Sequence, residues 1–144
     1  MAKIKFDKPD RFDAVRAEKG VNHTIYGANG HNYGTFKTSL MDETTKLYRL
    51  AYERFQREHG DDPEATSETA GVYSFVMINL HDWSGITSGG KPVPFSKEVA
   101  YEYLKDGVLE DGWLYAELRA RSMDVANYQK VGDPRATKDE AAGK

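Results

Sequence analysis

Apolar and polar residues alternate in two short stretches near the start of the chain and then settle into helical spacing. Val21-Asn22-His23-Thr24-Ile25-Tyr26 and Tyr33-Gly34-Thr35-Phe36-Lys37-Thr38-Ser39-Leu40 are the alternating stretches, rich in β-branched and aromatic residues. Gly27-Ala28-Asn29-Gly30 lies between them, and its Asn-Gly pair favours positive φ and a tight turn. Together they read as one β-hairpin. A lone hairpin is marginal in water, so this one has to pack on helices or pair its edge with another strand or subunit.

From Asp42 the period changes. Asp42 suits a helix N-cap, and Glu43 adds negative charge to the first turn. Leu47, Leu50, Ala51 and Phe55 then mark one helical face, widened by Tyr48 and Tyr52, and Gly60 closes the helix. Asp62 and Pro63 open the next helix as N-cap and first residue. That helix becomes apolar nearly all round from Val72 to Leu80, which predicts the central core helix. Trp83 to Phe95 is punctuated by Gly and Pro and reads as a loop. Ser96 caps a short helix to Leu104, with Val99, Tyr103 and Leu104 facing inward. A break at Asp106-Gly107 precedes a last helix over 111–129. Its inward stripe is Leu114, Leu118, the Arg121 stem, Val125 and Tyr128, helped by Trp113 and Met123.

The expected fold is α+β, mainly α, with an N-terminal β-hairpin packed on a four-helix C-terminal part. Residues 1–20 read as an extended polar arm with room for a short turn of helix, 21–131 as a single domain, and 132–144 as a disordered tail. One domain is also what 144 residues provide.

Composition narrows the function classes. There are no cysteines, which excludes disulfides, thiolate zinc sites and thiol catalysis. The net charge is −3 and no run of four basic residues occurs, so nucleic acid is not an expected partner. The longest apolar stretch is far too short for a bilayer, and no signal peptide opens the chain, so no membrane partner and a cytoplasmic location are expected.

Candidate chemistry fails on spacing. His23, His31, His59 and His81 contain no pair four residues apart with an acid between, so no metal site is expected. His81, Asp82 and Ser84 crowd one chain segment, whereas a catalytic triad is assembled from distant ones. Gly85…Gly89-Gly90-Lys91 runs into Pro92-Val93-Pro94, so no helix N-terminus would receive a phosphate. The acid pairs Asp61-Asp62, Glu110-Asp111 and Asp139-Glu140 sit at helix starts or in the tail, where capping and solvation explain them. No catalytic residue and no cofactor follow from these patterns, and the chain reads as a non-enzyme that binds other proteins.

Trp83 and Phe95 bracket the Gly/Pro loop; the favoured reading pins the loop ends on the core, and a direct partner contact is the alternative. The nine tyrosines exceed what one small core needs. Tyr is enriched at protein interfaces, which makes Tyr26, Tyr33, Tyr101, Tyr115 and Tyr128 candidate contact residues.

One segment carries a family resemblance. Ile78-Asn79-Leu80-His81-Asp82-Trp83-Ser84-Gly85-Ile86, then Gly90-Lys91-Pro92-Val93-Pro94-Phe95-Ser96-Lys97-Glu98 and Leu104, resembles a passage of the tail assembly chaperones of long-tailed bacteriophages. In that passage a Trp-Gly corner, a short Gly-rich stretch and a Pro-Phe-Ser-x-Glu helix start follow one another; here Trp83, Gly85, Pro94, Phe95 and Ser96 stand at those places. The likeness extends over about residues 20–105, including Tyr48 to His59. It implies a non-catalytic protein of the host cytoplasm that binds the tape measure protein, recruits tail tube protein, self-associates and leaves before the virion is complete. Two other readings suit the same sequence character: a permanent virion component of neck, tail or capsid, or a phage inhibitor of a host defence system.

Overall fold

The predicted hairpin gains a third strand that the periodicity does not show. The computed structural model describes residues 3–7, 11–42, 45–110 and 112–130. A six-residue helix, α1 (Ala14–Lys19), stands inside the segment expected to be an extended arm. The Asp13 carboxylate caps it by accepting from the Val15 and Arg16 amides at 3.0 and 3.3 Å. The helix is tied down from both sides: the Asp13 amide donates to the Tyr128 carbonyl and the Leu40 amide to the Ala17 carbonyl.

β1 (Val21–Tyr26) and β2 (Asn32–Thr38) form the hairpin, with Val21 opposite Thr38 and Tyr26 opposite Asn32. Val21, His23 and Ile25 alternate inward. β3 (Leu80–Ser84) pairs antiparallel with β2, placing Trp83 opposite Phe36, so the sheet order is β1-β2-β3. Sequence reasoning assigned Leu80 to the core helix and Trp83 to a loop. Only Leu80 and Trp83 of these five residues are buried, and a register shift between Lys37 and Thr38 breaks the alternation, so the strand carries almost no period-two signal.

The helices are α2 (Lys46–His59), α3 (Ser67–Ile78), α4 (Lys97–Glu110) and α5 (Trp113–Met123). α2 begins after Thr45, not at Asp42. α3 begins after Thr66, whose hydroxyl accepts from the Thr69 amide while the Thr69 side chain closes a capping box. That reciprocal pair supersedes the expected start at Asp62 and Pro63. α4 runs through the expected break at Asp106-Gly107, where a helical glycine costs only about 1 kcal/mol. The expected last helix stops at Met123; Asp124 caps a separate 3-10 turn, Val125–Tyr128. A small hairpin, β4 (Thr87–Ser88) and β5 (Lys91–Pro92), shapes the segment between β3 and α4. The tail at 132–144 and the Asp139-Glu140 pair lie outside the described residues.

The architecture is α+β, as predicted from the hairpin and the helical periods. α3 packs between α2 and α4, α4 packs on α5, and α5 returns to β1. Val72, Phe75 and Val76 of α3 are fully buried among Ile25, Phe36, Leu80, Leu104 and Leu118. Trp83 is buried against Phe95 and Tyr103, with ring centroids 5.6 Å away in each case, and its Nε1 donates to the Val93 carbonyl at 2.8 Å.

A polar knot is buried where the sheet meets α5 and the 3-10 turn. The Tyr128 hydroxyl donates to the Thr38 carbonyl at 3.1 Å and lies 3.4 Å from His23 Nε2. The Thr38 hydroxyl reaches Ser122 Oγ at 2.7 Å. Burial, and secondarily the charge of Arg121, lowers the His23 pKa from 6.5 to about 4.

Two predictions follow from this packing. Trp83→Ala lowers unfolding stability by about 3–5 kcal/mol in a denaturant melt, the cost of an emptied aromatic site; a loss below about 1 kcal/mol would place the ring outside the core. The second concerns pH. The unfolded chain protonates His23 near 6.5 and the folded chain only near 4, so the stability this residue contributes is complete above pH 6.5 and drains as pH falls toward 4. The whole effect is on the order of 3 kcal/mol. His81, lowered by burial and by Lys97 and Lys37, acts with the same sign. Urea midpoints measured between pH 7 and 4 should flatten in His23→Gln, leaving the smaller His81 share; an unchanged slope would contradict a neutral buried imidazole.

Candidate functional site

The residues of the Trp-Gly and Pro-Phe-Ser motif are brought together by the third strand. Gly85 follows β3 with φ +82°, and a Cβ there would stand 3.3 Å from the Cα of Gly34 on β2. Two glycines thus let the chain leave the sheet at its closest approach. Pro94 is exposed and Phe95 half-buried, its ring set edge-on to Trp83. The Ser96 hydroxyl accepts from the Val99 amide at 3.2 Å, the geometry of a helix cap. The next residue, Lys97, turns back and donates from Nζ to the carbonyls of Val76, Met77 and Leu80 at 2.8, 3.2 and 2.5 Å. Burial lowers its pKa. The motif is therefore a packing device: it closes α3, starts α4 and seals the corner between them with Trp83.

The five candidate tyrosines do not form one surface. Tyr26 is 61% exposed on the outer face of β1. Tyr33 is half-buried, edge-on to Trp113 at 4.9 Å and to His31 at 4.6 Å. Tyr115 is half-buried with its ring against Phe75. Tyr101 and Tyr128 are core residues, 4% and 0% exposed, so the expectation of contact roles for them is corrected. Tyr101 packs on Phe55, His59 and Tyr73, and Tyr128 anchors the polar knot.

The histidines are dispersed as well. His23 is buried beside Tyr128, His31 leans on Tyr33, His59 stacks on Phe55, and His81 lies on β3. His81 and Asp82 stand in a strand, and the Asp82 carboxylate accepts from the Trp83 amide. Among the described residues no three His, Asp or Glu side chains gather as a metal-binding group. No described helix is long and apolar enough to cross a membrane.

The apolar surface that sequence reasoning missed is on α2. Leu47 and Leu50 were assigned inward, yet they are 60% and 45% exposed. The inward stripe is Tyr48, Ala51 and Phe55. Two stripes overlap on this helix, and the polar tip of Tyr48 decides between them. Its hydroxyl donates to Asn79 Oδ1, and Asn79 Nδ2 donates to Ser39 Oγ at 2.9 Å. That bonded, buried set holds α2 against the end of α3, and the leucines are turned out. Trp113 and Met123, expected to help the core from α5, are also partly exposed, at 38% and 45%. A signal was present: α2 carries more large apolar residues than one face can bury.

The sequence profile of the YdaY prophage protein family matches residues 40–144, from the end of the hairpin onward. No curated protein and no solved structure matches the chain. The match covers most of the chain, including α2, the Trp83 corner and α5, and so the protein belongs to the YdaY prophage protein family.

Proposed function

We propose that this prophage protein is a non-catalytic tail assembly chaperone, which holds the tape measure protein in the host cytoplasm and helps bring tail tube protein to it. The observation that carries the reading is the outward face of α2. Leu47 and Leu50 are exposed there, and the 100° helical step places the exposed Arg57 and the Arg54–Glu58 ion pair on the same side. A long helical partner with apolar and acidic positions is what such a row suits, by contacts along a helix face and not in a closed pocket. Neither leucine is among the buried residues of α2, which are Tyr48, Ala51 and Phe55. The likeness of the Trp83 to Ser96 segment to tail assembly chaperones supports the same reading, as does the prophage family.

Co-expression with the phage's tape measure protein tests it. The wild-type chain should keep that protein soluble and co-purify with it. The double variant Leu47→Glu/Leu50→Glu should lose most of the binding, by about tenfold or more for buried anchor residues, with a melting temperature close to wild type because both positions are exposed. Equal capture by the variant would remove α2 from the reading. Finding the chain in many copies in purified virions would favour a permanent structural role and sink the chaperone.

A further inference from the structure

We infer that two copies of this chain associate by exchanging their amino-terminal arms, each arm lying in a groove of the other copy. This inference is independent of the tail-assembly reading. The arm, Lys3-Ile4-Lys5-Phe6-Asp7, belongs to no helix or strand, and it alternates charged and apolar residues. Ile4 and Phe6 are 72% and 73% exposed, the most uncovered large apolar side chains among the described residues. Period-two alternation puts both on one side of an extended segment and the two lysines on the other edge. Such a pair has no reason to stay in water if a complementary apolar trough is within reach.

A trough of that kind lies at the root of the arm. A groove of about 550 Å³ runs between α1, the Leu40–Asp42 segment and the start of the 3-10 turn. Phe12, Leu40, Met123 and Val125 supply its apolar wall. Glu18 and Asp42 stand on it as acids and Arg11 as a base. The charges complement those of the arm: a lysine for the Glu18 carboxylate, and Asp7 for Arg11. Ile4 and Phe6 match the apolar wall. The arm's apolar side chains are exposed in the single chain, so it does not lie in its own groove. Asp7 and the groove's Arg11 are four positions apart in sequence, so two copies that meet about a two-fold axis at this edge bring each arm near the other's groove. One reciprocal contact then fills both grooves, the closed isologous arrangement that arm exchange favours.

The chain lacks cysteine, so introduced thiols report cleanly. Sedimentation of the full-length chain across a concentration series should show a monomer–dimer equilibrium, and Ile4→Asp/Phe6→Asp should weaken it by ~30-fold or more, the loss expected of central anchor residues. Both positions are exposed, so the far-ultraviolet spectrum and thermal melt should not move. Mixing a Phe6→Cys chain with a Met123→Cys chain and adding a short thiol cross-linker should give a product of twice the chain mass. The Phe6→Cys/Met123→Cys double variant, treated at low concentration, should stay mainly unlinked. A wild-type chain that remains monomeric at 100-fold above the concentrations used for the melt, or a dominant intrachain product from the double variant, would overturn arm exchange. So would a dimer that the Asp variant leaves intact.

Discussion

At the carboxyl end of α3 the backbone carbonyls of Val76, Met77 and Leu80 all point toward one ammonium group, that of Lys97. The last carbonyls of any helix lack partners within the helix, and leaving them unmet in a packed interior is costly. α3 is the most buried helix among the described residues, so water cannot easily serve them. Lys97 serves them instead, and in doing so fixes three things at once. It ends the helix at Ile78, it holds Leu80 where β3 can begin, and it locks the first turn of α4 beside both. The Trp83 ring then closes the corner from the other side, edge-on to Phe95 and Tyr103. The three-layer contact of sheet, α3 and α4 rests on that junction.

A second buried polar set performs a matching task beside it, where Thr38 of β2 stands opposite Leu80 of β3. Tyr128, Thr38, Ser122 and His23 join the hairpin to the last turn of the chain. Together with the Tyr48, Asn79 and Ser39 set, it fixes two long-range seams by bonded polar groups inside an apolar surround. Such sets add orientation more than they add net stability, because their worth lies in being fully bonded. They explain why Tyr128, a ring that looked spare, is drawn inside.

The elements with a clean period were legible from the residues. The hairpin shows in its alternation and Asn-Gly pair, the core helix in the run from Val72 to Val76, and the start of α4 in Ser96. What was not legible depends on partners far away in sequence. β3 shares its segment with the end of an apolar run and holds only two buried residues, so nothing local separates it from helix or loop. The choice between Leu47/Leu50 and Tyr48 on α2 is made by Asn79, thirty-one residues on. The start of α3 turns on a threonine pair that weighs little beside the louder Asp-Pro signal. For the surfaces, composition shows that apolar side chains are in excess, and only the packing shows which ones are left over.

The pairing of β2 with β3 has a bearing on what counts as the folding unit of this family. The family match begins at Leu40, after the hairpin has ended, yet β3 lies inside the match and, among the described residues, finds its one neighbouring strand, β2, outside it. Phe36 comes from the unmatched side to cover Trp83. A fragment trimmed to the matched boundary would bare one edge of β3 and a flank of its indole together, the condition that invites sheet-to-sheet aggregation. In this chain the region recognisable by descent is thus smaller than the sheet it helps to build.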